Sequence, residues 1–376
     1  MKNNIKAEIV AHSKRANTGE EIITYKLTFP RIILSEVNTY KQIEKNTSSS
    51  RAIPFEKMVE TVENDPFIPL AWQISHKGMQ GNKYYTDPDI IECKTKRWLE
   101  ARDAAILAAK NMDIDIISTK KPVFRDIRDI IEGDNYEVVS GEFINPVTKQ
   151  LKNRILDPWM WVCQLVTGTK ESFQHLFEQR CPQYEFYFGK FKSKKEVLEY
   201  LNIGEIEYPK PFPKTDLDWF KCNKGQAEIH FMDLAEKMYD ALNESTPDIL
   251  KEGEWHIPFQ EEIWKSKQAE KLEDVIKMSC AMTARVSYTT INDNEVLTLE
   301  KAKKIYDKCV ESGHFSVVSH CAKCMTDYEY DTWIKGKVEI SEELNILEVP
   351  NESQGYCKNL KGFIPLRQFV EDDIKI

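Results

Sequence analysis

What the chain lacks narrows its function first. No run of roughly 18 apolar residues occurs, so the sequence offers no candidate membrane-spanning helix. The opening "MKNNIKAEIVAHSKR" lacks the apolar core of a secretory signal, and a cytoplasmic protein is expected. Positive charge is in deficit: Lys and Arg number 52 against 61 Asp and Glu, a formal net charge of -9. A general nucleic-acid coat needs a basic surface to neutralise phosphates, so nucleic acid is not the expected partner. A local basic pocket for one small anion remains compatible with that charge. There is no internal repeat and no low-complexity tract. The nine cysteines are odd in number and scattered, the pattern of reduced core thiols rather than a disulfide framework. One Cys-x-x-Cys exists, Cys321 and Cys324, with His314 and His320 nearby. A structural metal site commonly needs a second such pair, and none is present, so no metal is expected.

What is present describes a globular enzyme-sized chain. With 376 residues, 41% hydrophobic and 11% aromatic, it can bury a substantial core as one large domain or two smaller ones. Residues 23–30, "ITYKLTFP", alternate like a half-buried strand and stop at proline. Residues 31–41 suit a short helix, and 55–65 a second one with Phe55, Met58, Val59 and Val62 on one side. Asp87-Pro88 opens a long helix through Met112, whose alanine-rich end (Ala101, Ala104, Ala105, Ala108, Ala109) suits tight packing. Residues 136–153 read as a hairpin turning near Asn145-Pro146. Residues 160–169, "MWVCQLVTGT", fit a buried strand or a buried helix. Amphipathic helices are expected over 226–242 and over 297–313, the latter closed by Gly313. Mixed elements at this spacing indicate an α+β (α/β) fold.

Residues 182–222 differ in character, with proline-spaced aromatics and a small helix opened by the capping-box pair Ser193 and Glu196. They are expected to form an inserted subdomain within a single domain spanning 1–376. The lysines of "KFKSKK" could touch nucleic acid, but a solvated face is the reading favoured by the acidic balance.

The most informative stretch is "NTYKQIEKNTSSSRAIP", residues 38–54. Ser48, Ser49, Ser50 and Arg51 place several hydroxyls and one guanidinium within a few residues, before a helix start. That is the chemistry of a phosphate or carboxylate cradle. The loop resembles the signature of flavin-dependent thymidylate synthases, R-H-R-x-x-S-x-N-x-x-S-x-R. It is closer still to the bacteriophage variant, T-H-R followed by S-x-N-x-S-S-S-R-A-I-P. Asn46, Ser49 and Arg51 stand at the family's Asn, Ser and Arg, and Thr39 matches the phage form.

Other segments extend the resemblance. "NRILDPWMW" resembles the segment that brings an arginine, here Arg154, to the nucleotide, and "FQHLFEQRC" puts Arg180 at the pyrimidine-binding arginine. Gln226 and Glu228 of "GQAEI" match A-Q-x-E-I, reached after the insertion. "LAEKMYDALNESTPDILKEGEWHIPF" follows the phage branch, "TARVSY" (283–288) resembles A-A-R-V-S-Y/F, and "GHFSVVSH" resembles G-H-x-S-P-F-E-H. "NLKGFIPLR" matches the branch's closing segment loosely. Taken singly, Arg154 and Arg180 also suit ordinary ion pairs, Gln226 a helix start, and Ser287 the satisfaction of a buried backbone group. Their joint order along the chain is what identifies the family.

The resemblance implies a flavin-dependent thymidylate synthase-like fold, a mixed sheet flanked by long helices, assembled as a homotetramer. It implies conversion of dUMP to dTMP, with methylenetetrahydrofolate as carbon donor, reduced FAD as reductant and NADPH as electron source. By carry-over, Arg180, Arg51 and Ser49 are catalytic. Glu36, Ser48, Ser49, Ser50, Arg51, Arg154, Arg180 and Gln226 bind the substrate, dUMP or dCMP. Thr39, Tyr40, Lys41, Asn46, His175, Ser316 and His320 hold the cofactor. The expected compartment is the cytoplasm of a phage-infected bacterium. Tyr40-Lys41 replace the family's His-Arg, Glu44 its serine, and Val317-Val318-Ser319 its Pro-Phe-Glu. Lysine does not replace a forked arginine conservatively, so a reshaped flavin site is implied. Two other outcomes accompany that change: a 5-hydroxymethylase or hydroxylase of dUMP or dCMP, and a non-catalytic nucleotide-binding protein.

Overall fold

The computed structural model describes residues 4–77, 81, 83–112, 147–204, 212–287, 297–333 and 359–371. The central sheet runs β3 (Glu44–Thr47), β4 (Trp161–Thr169), β2 (Glu21–Pro30), β1 (Lys6–Arg15), β7 (Asp248–Leu250). The pairs β3/β4, β4/β2 and β2/β1 are antiparallel and β1/β7 is parallel, so the sheet is mixed. A hairpin pairs β5 (Tyr184–Phe186) with β6 (Gly189–Phe191), and β8 (Trp255–His256), β9 (Ala322–Cys324) and β10 (Phe363–Pro365) form a third small sheet.

The helices that matter for the site are, in chain order, α1 (Leu34–Val37), α2 (Phe55–Asn64), α3 (Pro88–Asn111), α4 (Lys149–Ile155), α5 (Lys170–Arg180), α6 (Lys194–Ile203), α7 (Asp216–Cys222), α8 (Ile229–Glu244), α9 (Gln260–Ser266), α10 (Leu272–Val286) and α11 (Leu299–Glu311). Among the described residues no helix is long and apolar enough to cross a membrane.

Residues 161–169 resolve as a strand, and the reason is their place in the sheet. β4 lies between β3 and β2 and is buried on both faces, so it shows no polar alternation that would have marked it as a strand. On one face, Ile23, Tyr25, Leu27, Phe29, Val162 and Val166 pack under Phe173, Phe177, Phe231 and Met238 of α5 and α8. On the other, Leu165 packs under Val275, Ile276, Cys280 and Ala284 of α10, with Val317 and Val318. A separate cluster joins α2, α3 and α4 through Met58, Val62, Ile106 and Leu156.

Several local expectations meet their geometry. Asp87 caps α3, accepting from the N–H groups of Asp89 (2.9 Å) and Ile90 (3.3 Å). Phe55, Met58, Val59 and Val62 are the buried side of α2. Gly313 takes φ +69° after α11, with His314 N–H on Cys309 O and Gly313 N–H on Val310 O, the paired bonds that close a helix. This turn aims the chain straight into the 3-10 segment Phe315–Val318.

Others are corrected. The hairpin expected over 136–153 does not continue through its last residues, because Lys149–Ile155 is helical and turns Asn153 and Leu156 inward; the turn at Asn145-Pro146 lies outside the described residues. Of the alanines ending α3, Ala109 is buried and Ala105 half-buried, while Ala101, Ala104 and Ala108 face solvent, since α3 packs along one stripe only. Ser193 Oγ accepts from Glu196 N–H (3.0 Å), but the Glu196 carboxylate takes Lys192 N–H (2.7 Å) instead of Ser193 N–H, so the capping box is half formed.

Residues 184–222 carry their own aromatic cluster: Tyr184, Phe191, Val197, Leu201 and Trp219, flanked by Phe186, Phe188 and Phe212. It meets the rest of the fold where Lys194 N–H, at the start of α6, donates to Glu236 Oε1 of α8 (2.6 Å). Burial pushes the Glu236 carboxyl up to about 7; the Lys194 N–H and charge oppose this, and Asp233 and Asp240 add to it. A carboxyl that binds its proton more tightly when folded contributes stability fully present below about 4.5 and lost as pH rises through about 7. Glutamine keeps an oxygen for Lys194. Glu236→Gln should therefore match the wild type at pH 4 and exceed it by about 3 kcal/mol at pH 8. Urea midpoints at constant slope measure this, and parallel pH profiles for the two proteins would contradict it.

Beneath the α10 face a buried polar chain crosses three strands. Ser13 Oγ meets His256 Nδ1 (2.9 Å), His256 Nε2 meets Thr24 Oγ1 (2.8 Å), Thr24 meets Thr167 Oγ1 (2.7 Å), and Thr167 meets His320 Nδ1 (2.7 Å). His256 and His320 are fully buried, and burial drives both down to about 3, so both rings are neutral.

Candidate active site

The serine loop begins where edge strand β3 leaves the sheet. Asn46 lies across from Leu165 and so faces α10, whereas Lys45 lies across from Val166 and faces α5 and α8. Two clusters of predicted residues consequently form, one on each side of β3.

On the α10 side, Asn46 is a hub. Its Nδ2 donates to Thr283 O (2.7 Å), one of the carbonyls that a helix C-terminus leaves without an intrahelical donor. Its Oδ1 accepts from Ser287 Oγ and Ser316 Oγ (both 3.3 Å). Ser49 N–H donates to Ser287 O (3.2 Å), so the serine loop and β3 together cap α10. Segments resembling three family motifs, at 46–51, 283–287 and 314–320, thereby meet at one amide side chain.

The loop itself is a compact turn. Ala52 and Ile53 N–H groups return to Ser49 O, Arg51 N–H reaches Ser49 Oγ (3.2 Å), and Ser48 bonds to Cys163 through both its N–H and its Oγ. Asn153 of α4 clamps it from below, donating to Ser50 O (2.8 Å) and Ile53 O (3.0 Å). Ser50 is buried, Ser48 and Ser49 are half-buried, and Arg51 is exposed with no side-chain partner among the described residues. With Asn153 turned inward, α4 presents Arg154 to solvent and sets Lys149 on Ala52 O (3.1 Å). In a chain of net negative charge, Arg51, Lys149, Lys152 and Arg154 make a basic rim on this loop.

On the other side, Arg180 ends α5. Its Nε donates to Tyr40 Oη (2.8 Å), and Tyr40 Oη donates to Gln179 Oε1 (3.0 Å). Gln179 Nε2 in turn meets His175 Nε2 (2.9 Å). The guanidinium carbon lies 5.6 Å from the Tyr40 ring centroid and 5.4 Å from that of Phe231, within range of cation–π attraction. Phe231 is held there by Glu228, which caps α8 by accepting from the N–H groups of His230 (2.8 Å) and Phe231 (3.0 Å). Burial raises the Glu36 carboxyl; the Glu228 charge adds to this and Arg180 opposes it. Burial also raises the Tyr40 phenol, against the pull of Arg180. Lys45 Nζ donates to Tyr40 O and to Ile43 O (3.1 Å), fixing the turn that carries Tyr40.

The predicted residues thus divide. Glu36, Tyr40, His175 and Arg180 come together on the α5 side; Thr39, bonded to Glu36 O (2.7 Å), and Lys41 are exposed beside them. Ser48, Ser49, Ser50, Arg51, Asn46 and Ser316 come together on the loop side. His320 is fully buried on the polar chain, with Nε2 unpartnered among the described residues. Gln226 is exposed and bonds to Lys224 O (3.3 Å) in its own loop. Tyr288 lies outside the described residues.

Asn153, Gln179 and Phe231 were not singled out from the sequence, yet each touches a predicted residue directly. Each adjoins or nearly adjoins one in the chain, which is the only signal the sequence held. Among the described residues no group of three His, Cys, Asp or Glu side chains is placed to hold a metal ion.

No protein-family model and no curated protein matches the chain. Among solved structures it is similar to a UMP/dUMP methylase, PolB from Streptomyces cacaoi, bound with 5-Br dUMP, at TM-score 0.33 and 10% identity, covering 54% of this chain and 89% of that one. The same methylase bound with 5-Br UMP is similar at TM-score 0.33 and 11% identity, covering 54% of this chain and 88% of that one.

Proposed function

We propose that the chain binds a pyrimidine deoxynucleoside monophosphate and modifies its C5 position, as a flavin-dependent thymidylate synthase-like enzyme working as a homotetramer. The reaction is dUMP to dTMP, with methylenetetrahydrofolate as carbon donor and NADPH as electron source. The observation that carries this reading is the hub at Asn46. Three segments that resemble family motifs share one hydrogen-bonded amide beside the serine loop, and two of them lie more than 200 residues beyond Asn46 in the chain.

The residues assign themselves by chemistry. The Ser49 hydroxyl and the Arg51 guanidinium suit a phosphate, because both are donors on one turn of the loop and neither is spent on an acceptor among the described residues. Arg180 suits the base: it cannot deprotonate, and it favours negative charge developing on a pyrimidine carbonyl. Among the described residues no thiol beside the clusters is a candidate nucleophile. Burial pushes Cys163 up to about 11 and Cys181 further still, which keeps both protonated.

The exposed donors Lys41 and His175, beside Tyr40 and the exposed Thr39, fit an anionic aromatic group such as FAD. Reduced FAD would supply the hydride. Asn46 and His320, being buried and bonded inward, support the site from behind.

Arg51→Ala and Arg180→Ala should each weaken dUMP or dCMP binding by about ten- to a hundred-fold in calorimetry, the effect of losing a charge-assisted hydrogen bond. Unchanged affinity in both would remove the proposed site. Mass spectrometry of the product formed with FAD, NADPH and methylenetetrahydrofolate then identifies the chemistry: a 5-methyl product is expected, and an added oxygen would replace the synthase by a hydroxylating enzyme.

A further inference from the structure

We infer that Tyr40 and Gln179 are positioning residues that aim the Arg180 guanidinium at the base of the bound nucleotide; this rests on the nucleotide reading above. The direction of every bond in the chain follows from Arg180, which is a donor only. Its Nε–H gives to Tyr40 Oη, so the Tyr40 hydrogen goes to Gln179 Oε1, and the Gln179 amide nitrogen gives to His175 Nε2. Tyr40 is therefore engaged through its hydroxyl. Its ring meets Phe231 edge-on (centroids 6.1 Å apart, 90° between planes), and the guanidinium lies in the corner between the two rings. Nε is thereby anchored, and the guanidinium sits between the two rings.

The terminal nitrogens are left over. Neither Nη of Arg180 has an acceptor among the described residues, although Glu36 is near enough to feel its charge. A half-buried guanidinium anchored at Nε, with its outer fork open, suits a planar ligand that offers carbonyl oxygen or ring nitrogen acceptors. A pyrimidine edge offers them, and with the phosphate assigned to Arg51 and the serine loop the fork is left for the base. Freed from Tyr40, the same guanidinium would turn toward Glu36 and lose that aim.

The test compares dUMP and dCMP with 2-deoxyribose 5-phosphate, which lacks the base. Tyr40→Phe keeps the ring contacts and removes only the hydroxyl. It should raise the Kd of both nucleotides about ten-fold and leave that of the sugar phosphate and the melting midpoint unchanged. Gln179→Leu should have a smaller effect in the same direction, because the Tyr40–Arg180 bond survives it. Nucleotide binding by Tyr40→Phe equal to wild type overturns the inference, as does equal weakening of nucleotide and sugar phosphate. A wild-type protein that binds neither nucleotide would instead overturn the nucleotide reading, and this inference with it.

Discussion

In a Glu236→Gln background, stability should fall by about 4 kcal/mol between pH 7.5 and pH 5, with His256 and His320 as the cause. Each ring is held neutral by burial, at about 3. Any positive charge on His12 or His320 would add to the depression at His256. In the unfolded chain each titrates near its ordinary 6.5. A depressed basic group contributes stability that is present above the unfolded value and lost as pH falls toward the folded one. Over the 1.5 units from 6.5 to 5, each histidine therefore removes about 2 kcal/mol. The wild type should lose only about half as much, because protonation of Glu236 stabilises the folded state over the same interval. Chemical denaturation across pH measures both. His256→Gln in the same background should flatten the acid limb by about half, and a limb that stays equally steep would exclude His256 as a source.

Asn46→Leu should lower stability by about 2–4 kcal/mol, a large effect for a change that keeps the side chain's branching and number of heavy atoms. Thr283 O would lose its donor inside the protein, and Ser287 and Ser316 would lose a shared acceptor. Leaving a buried polar group unpaired costs its desolvation, which exceeds the net gain from the bond when made. Because Ser49 N–H bonds to Ser287 O, the same change frees the serine loop from α10. Nucleotide affinity should therefore fall together with stability, unlike Arg51→Ala, where affinity should fall and stability hold. An Asn46→Leu protein with wild-type denaturant midpoint would show that water or a shifted loop replaces the amide.

The sequence alone determined the elements whose signals are local. The apolar side of 55–64, the Asp87 cap and the glycine stop at 313 each depend on neighbours within a turn or two, and each stands as read. The serine loop was legible for the same reason, since its hydroxyls and its arginine are contiguous. Residues 23–30 form the expected strand, but it is buried on both faces and not half-buried, because β2 lies inside the sheet and its polar positions Thr24 and Thr28 are covered too. Residues 160–169 were ambiguous because a strand buried on both faces carries no alternation, and only the pairing with β2 and β3 decides it. Tertiary structure also decided which member of a pair acts. Asn153 and Arg154 are one helical step apart, about 100°, and the phase of α4 turns Asn153 to the loop and Arg154 to solvent. Lys45 and Asn46 are one strand step apart, and the pleat sends them to opposite faces of β3, splitting the expected cofactor residues between two clusters. The acceptors of Asn46 and the donors to it lie 237 to 270 residues away. No local pattern encodes a partner at that separation; it exists only once α10 and the 3-10 segment have packed against the edge of the sheet.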